Sequence, residues 1–183
     1  MATPFQIYRV LCSTPPELEP ERVLAEATLT SFGATVTFPQ QVLFAGASFR
    51  PGFDSVRHRG VAESNVRMCD FFLHIFSETW PGDAFQGFID LAQVALADPS
   101  LPMRRTAVLF KNFAAADEKV RSFRDSLAAG SNCDLREFQD PAELERLLRE
   151  IFASWWESVR PDPEGATAPA SQPTASPTVA PLV

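Results

Sequence analysis

Between Asp70 and Glu78 the chain reads Asp-Phe-Phe-Leu-His-Ile-Phe-Ser-Glu, a run that is apolar almost without interruption. It shows neither the alternation of a half-buried strand nor the 3.6-residue stripe of a surface helix. A strand buried on both faces has this pattern, and such strands sit at the centre of parallel sheets covered by helices on both sides. Parallel neighbours must be reached through long crossovers, usually helices, so this one segment predicts helical patterns before and after it.

The flanking sequence meets that demand. Phe5–Cys12 is strand-like and ends at Ser13-Thr14-Pro15-Pro16. A helix follows in which Leu18, Ala25, Leu29 and Phe32 share a face and Gly33 closes the last turn. Thr14 is placed to cap it, Pro15 fits the first helical position, and Glu17 stands three residues after the cap as in a capping box. Ala34–Phe38 reads as the start of a second strand, with Val42–Phe44 extending it or forming a short second piece. Residues 46–55 form a glycine- and proline-containing loop long enough to act as a flap. Val61, Ala62, Asn65, Val66 and Cys69 then mark a helix over 56–68 that leads into the central strand. After the turn Thr79-Trp80-Pro81-Gly82, residues Phe85, Phe88, Ile89, Ala92, Ala95 and Leu96 outline a third helix that ends before Pro99. Thr106–Phe110 is the fourth strand. Val120, Phe123 and Leu127 mark the fourth helix, ended by Gly130, and Leu135–Phe138 is a weak edge strand. Asp140-Pro141-Ala142-Glu143 repeats the cap, proline and acidic third position, opening a helix with Leu144, Leu147, Leu148, Ile151 and Trp155 on one face. Five strands alternating with five helices predict an α/β, flavodoxin-like three-layer sandwich. Its five-stranded parallel sheet is expected in the order 2-1-3-4-5.

Composition bounds the rest. A chain of 183 residues, 45% of them hydrophobic, suits one domain with a full core. Phenylalanine, at 16, falls repeatedly on strands and inward helix faces, which points to a phenylalanine-rich core. Of the 16 prolines, six lie after Arg160, where residues 160–183 read as a disordered Pro/Ala/Thr/Ser-rich tail. The folded unit is therefore expected over residues 4–159. A net charge of -7 without a basic block argues against nucleic acid as a partner. No apolar run reaches the roughly 18 residues of a membrane span. The N-terminus lacks a basic segment followed by an apolar stretch, so no signal peptide is expected. Cys12, Cys69 and Cys133 are odd in number and far apart, which fits reduced thiols in a cytoplasmic protein. With His58 and His74 the only histidines, no metal site is expected, and no cofactor either.

Sheets of this order bind ligands beyond the carboxyl ends of their strands, where the strand order reverses, here between strands one and three. Those ends deliver Ser13, Thr14, Glu78 and Trp80. Ser13 and Thr14, with the free amides of a helix start, could hold a phosphate or ribose, although Thr14 also reads as a plain cap. No G-x-G-x-x-G or P-loop pattern accompanies them. Trp80 could stack on a planar ring beside Glu78; equally, the pair reads as a core tryptophan and a solvated carboxylate. Gln86 and Asp90, one helical turn apart, line a cleft or form a solvent face. Arg50, Arg57 and Arg59, followed by Arg67, concentrate positive charge that could take an anion or an acidic partner, or form surface salt bridges. Asp70 opens strand three at its amino end and reads as structural, and His74 as a core histidine with its hydrogen bonds satisfied.

Two segments carry a family resemblance. Ser13-Thr14-Pro15-Pro16-Glu17-Leu18-Glu19-Pro20-Glu21-Arg22 resembles the S-T-x-x-[DE]-L-x-x-E-R signature of a bacterial family of uncharacterised TIR-like domains, related in fold to nucleoside 2-deoxyribosyltransferases. Val66-Arg67-Met68-Cys69-Asp70-Phe71-Phe72 is similar to that family's helix-to-strand segment with Cys-Asp before an apolar strand. The resemblance implies a TIR-like module of signalling or defence, with relatives that cleave or exchange N-glycosidic bonds of nucleosides or NAD. Those relatives rely on a glutamate of the helix after strand three. Here that helix reads Asp83-Ala84-Phe85-Gln86-Gly87-Phe88-Ile89-Asp90, without a glutamate. The expectation is a non-catalytic module that binds a nucleotide-type ligand, a protein partner or a second copy. The alternative is an N-glycosidic hydrolase or transferase using Glu78 or Asp90.

Overall fold

A computed structural model describes residues 5–48, 59–130 and 132–160. The chain alternates β1 (Gln6–Ser13), α1 (Glu19–Phe32), β2 (Val42–Ser48), α2 (Arg59–Met68), β3 (Phe71–Phe76), α3 (Asp83–Ala97), β4 (Arg105–Lys111), α4 (Glu118–Gly130), β5 (Cys133–Phe138) and α5 (Pro141–Val159). All four strand pairings are parallel, and the sheet order is β2-β1-β3-β4-β5. The expected α/β sandwich and its strand order are therefore present.

β3 is the centre, with all six residues buried. Phe71, Leu73 and Ile75 face one layer, where Leu29, Phe32, Leu148, Phe152 and Trp155 of α1 and α5 pack. Phe72 and Phe76 face the other, against Val66, Ile89, Ala92 and Phe123 of α2, α3 and α4. In the first layer Trp155 stacks on Phe71, with ring centroids 4.8 Å apart and planes at 10°. Asp70 ties the amino ends of three strands. Its carboxylate accepts from Arg9 N at 2.8 Å, its N–H donates to Arg9 O, and its carbonyl accepts from Arg104 N at 2.7 Å.

Three local expectations are corrected. The stretch 34–38 is not a strand: α1 runs on through a wide turn over Gly33–Thr37 and a tight one over Phe38–Gln40. Thr35 and Thr37 return their hydroxyls to the carbonyls of Ser31 and Gly33, at 2.8 and 3.3 Å, giving the backbone a helical alternative to the ladder. Gly33 keeps an ordinary right-handed φ of -55° and closes nothing; the stop comes at Gln41, with φ 59°. β2 then starts at Val42, level with Gln6, and extends through Ser48, so the head of the expected 46–55 loop is strand. Gly46 lets α1 pack closely there: a Cβ would meet Leu29 Cδ2 at 3.0 Å, so that side chain would have to shift by a few tenths of an ångström. The remainder of that loop, and the start of the helix expected at 56, lie outside the described residues.

The start of α1 is the third. Thr14 caps nothing: Pro16–Leu18 forms a short tight turn, and α1 begins at Glu19 without a side-chain cap. By contrast, Asp140 caps α5 by accepting from Glu143 N at 2.9 Å, while Glu143 accepts from Gln139 N at 3.0 Å. The region after 160, expected to be a disordered tail, lies outside the described residues. No helix among the described residues is long and apolar enough to cross a membrane.

Candidate functional site

At the carboxyl ends of the strands the described residues enclose two separate crevices. One, of about 220 Å³, is bordered by Glu17, Leu18, Ser77, Glu78, Thr79, Lys111 and Asn112. The other, of about 260 Å³, lies between the start of α3 and the side of α4, bordered by Trp80, Asp83, Gln86, Lys119, Ser122, Phe123 and Ser126. The single ligand site expected from sequence is thus divided. Glu78 belongs to the first crevice, Trp80 and Gln86 to the second, and Asp90 borders neither.

The first crevice is built by the ends of β3 and β4 and the turn before α1. β3 ends when Ser77 turns its hydroxyl back onto Thr79, whose N–H donates to Ser77 Oγ at 3.3 Å. The same hydroxyl lies 3.2 Å from Glu17 Oε1, joining the turn before α1 to the end of β3. Glu78 projects outward, exposed, and its carboxylate makes no hydrogen bond among the described residues. Across the crevice Asn112 sits at φ 51°, a left-handed conformation that asparagine tolerates, and so ends β4 sharply. Lys111 supplies a cation but spends it on Glu21, at 2.7 Å. With Glu17 and Glu78 added, the rim is rich in acceptors. Such a rim suits hydroxyl donors and disfavours phosphate.

The signature-like segment supplies one side of this wall, Glu17 and Leu18. Its Glu17 borders the crevice, its Glu21 holds Lys111, and its Arg22 is clasped by Glu19 and Glu26 and bonded to Ser48 of β2 at 3.1 Å. Arg22 thereby anchors α1 to the end of β2, and these hydrogen-bonded carboxylates raise its pKa above the usual guanidinium value.

In the second crevice the tryptophan is fixed from beneath. Its ring lies parallel to Phe76 at 5.8 Å and edge-on to Phe123 at 5.4 Å, with Nε1 donating to Asp83 at 3.1 Å. Lys119 stands 6.0 Å from the ring centroid. The Phe76 ring therefore occupies one face of Trp80. Asp117, which the sequence reading missed, locks this corner by accepting from Trp80 N and Val120 N, both at 2.8 Å. Those amides hold its carboxyl below the usual range. The signal was available: an Asp stands three residues before the first apolar position of a helix.

The remaining expected residues scatter. Ser13 is fully buried and Thr14 half-buried. Arg59 is exposed and pairs with Glu63 one turn along α2, at 2.6 Å, so it takes the surface salt-bridge reading. Arg50 and Arg57 lie outside the described residues. Asp90 is exposed at its helix face, with partial burial pushing its carboxyl above the usual value. His74 corrects the sequence reading: it is a core residue, but neither ring nitrogen has a hydrogen-bond partner among the described residues. Cys12 and Cys69 are pushed up to about 12 by burial and Cys133 to about 11, so none is a nucleophile at neutral pH. No protein-family model and no curated protein matches the chain.

Proposed function

We propose that this chain is a TIR-like signalling or defence-type module that binds a small nucleoside-type ligand, without transforming it, in the crevice between Glu17, Glu78 and Asn112. One observation carries the reading: an acceptor-rich crevice opens at the carboxyl ends of β3 and β4, beside the turn that follows β1. That is the edge at which open α/β sheets bind ligands. Its volume, about 220 Å³, is below the roughly 300 Å³ at which pockets for drug-sized ligands begin. A sugar with its hydroxyls fits the space and the acceptors; a dinucleotide overfills it. The likeness of Ser13–Arg22 and Val66–Phe72 to the TIR-like signature supports the module, because the first of these segments contributes Glu17 and Leu18 to the crevice.

The test is thermal denaturation of the full chain with millimolar adenosine, ADP-ribose and NAD, for wild type and Glu78→Gln. Adenosine is expected to raise the melting temperature of wild type, as any ligand selective for the folded state does, and the variant to lose most of the shift. No shift with any of the three leaves the protein-partner form of the proposal in place of the ligand form.

The second reading, an N-glycosidic hydrolase or transferase, draws on Glu17 and Glu78 bordering one crevice, since such chemistry needs paired carboxylates. Free base released from NAD or a deoxynucleoside by wild type, and not by Glu78→Gln, would replace the non-catalytic reading with this one.

A further inference from the structure

The crevice between α3 and α4 plays no part in the reading above. Its floor is Trp80, whose indole is held on several sides. Phe76 lies parallel to the ring, Phe123 meets it edge-on, Asp83 accepts from Nε1, and Asp117 accepts from the backbone N–H. The ring is nonetheless only half-buried, and it borders a space of about 260 Å³. An aromatic surface fixed in this way is pre-organised, so an apolar group laid on it pays no ordering cost on the protein side.

Opposite charges border the same space. Asp83, the first residue of α3, stands at the Nε1 edge of the indole, 3.1 Å from that nitrogen. Lys119, in the first turn of α4, lies 6.0 Å from the ring centroid. Elsewhere on the surface opposite charges close on each other, as Arg59 does with Glu63 and Arg124 with Glu137. Among the described residues Asp83 and Lys119 form no salt bridge, with each other or with any other group. Asp117, the carboxylate that Lys119 influences, is already occupied by the amides of Trp80 and Val120.

Each charge has a polar neighbour one helical turn on, on the same helix face: Gln86 after Asp83, and Ser122 after Lys119. Neither of these side chains makes a hydrogen bond among the described residues. The α3 wall therefore offers a carboxylate and an amide carbonyl, both acceptors, and the α4 wall an ammonium and a hydroxyl, both donors. The complement is a molecule with an ammonium on one side, a carboxylate on the other and an apolar body between them and the indole. The volume, below the roughly 300 Å³ at which pockets for drug-sized ligands begin, limits it to a small one.

We propose that this crevice binds a free α-amino acid with an apolar or aromatic side chain. Asp83 and the Gln86 carbonyl hold the ammonium, Lys119 and the Ser122 hydroxyl hold the carboxylate, and the side chain rests on Trp80. The site is separate from the Glu17–Glu78 crevice, and either can fail alone.

Binding of L-phenylalanine to the full chain is measured by calorimetry and by tryptophan fluorescence. Trp155 and Trp156 are 1% and 6% exposed, so a change in emission on binding belongs to Trp80 and should vanish in Trp80→Phe. Wild type is expected to bind at millimolar phenylalanine or below. Phenylpropionate, which lacks the ammonium, and phenethylamine, which lacks the carboxylate, should each bind about tenfold or more weakly, because a charge-assisted contact is lost. Lys119→Met and Asp83→Asn should weaken phenylalanine by a similar factor. Both positions are exposed, so Lys119→Met is expected to melt as wild type does, which separates lost binding from lost folding. Adenosine should not displace phenylalanine. The proposal is overturned if millimolar phenylalanine gives neither heat nor a fluorescence change, or if either singly charged analogue binds as tightly as the amino acid. It is equally overturned if Lys119→Met binds as wild type does, or if adenosine competes.

Discussion

The buried histidine makes the folding stability of this chain depend on pH in a calculable way. In the folded state His74 is held neutral down to about 3, against 6.5 for an ordinary histidine, because burial excludes the imidazolium. The unfolded chain takes up a proton on this residue as pH falls below 6.5, and the folded chain does not. Protons bound preferentially by the unfolded state lower stability as pH falls, and the loss continues until the folded pKa is reached. One proton corresponds to about 1.4 kcal/mol per pH unit, so the loss between neutrality and pH 5 is about 2 kcal/mol. Carboxylates begin to titrate in the same range, and the measurement must subtract them. Urea unfolding of wild type and His74→Leu, followed by tryptophan fluorescence at pH about 7.5 and about 5, isolates the term. The variant should be the more stable at both, with the gap widening by about 2 kcal/mol on acidification. At a typical urea dependence of about 2 kcal/mol per molar, that is roughly 1 M more separation between the midpoints. Equal separation at the two pH values would refute the reasoning, since it would mean that His74 titrates alike in both states and is not sealed from water.

Two further perturbations probe the frame around the crevices. Asp117→Ala removes the acceptor of Trp80 N and Val120 N, and should cost about 2 kcal/mol and lower the melting temperature by roughly 4–8 °C. Because the folded carboxyl titrates below its ordinary 3.8, the penalty should fade as pH falls beneath that value, which a melting series in acid checks. Trp155→Ala opens a cavity beside Phe71 and Phe152 in the first core layer and should cost about 3–5 kcal/mol, against a much smaller loss for Trp155→Phe.

The sequence made the sheet legible because burial on both faces leaves a pattern that tolerates no substitute. Phe71–Phe76 could only be central, and the cap and proline at Asp140-Pro141 left the start of α5 unambiguous. The second strand was misplaced where two signals conflicted. Ala34–Phe38 alternates and contains β-branched residues, yet Thr35 and Thr37 satisfy helix carbonyls with their hydroxyls, and the residue that ends the helix is Gln41, not Gly33. The cap expected at Thr14 failed for a related reason. Ser13 continues the β1 ladder beside His74, and Pro15 and Pro16 then carry the chain into a tight turn, so Glu17 is turned toward Ser77 instead of an open amide.

The site was read less well, because its geometry depends on single-residue steps that periodicity does not resolve. Glu78 and Trp80 are two residues apart and stand at the end of the same strand, which suggested one cleft. The hydroxyl of Ser77 ends the strand with a turn, and Asp117 then draws Trp80 toward α4, so the two side chains enter different crevices. The far wall, Lys111 and Asn112, comes from β4, to which the switch-point rule alone did not point. His74 shows the limit most sharply. A histidine inside an apolar strand has a partner in most cores, and the register does place a hydroxyl on the neighbouring strand, on the same face. Whether the two meet depends on rotamers set by Phe72, Phe76 and Phe85, and here they do not. A residue that satisfies every pattern rule for a core position can still be the one whose hydrogen-bonding capacity the core leaves unused, and that is a property of packing, not of pattern.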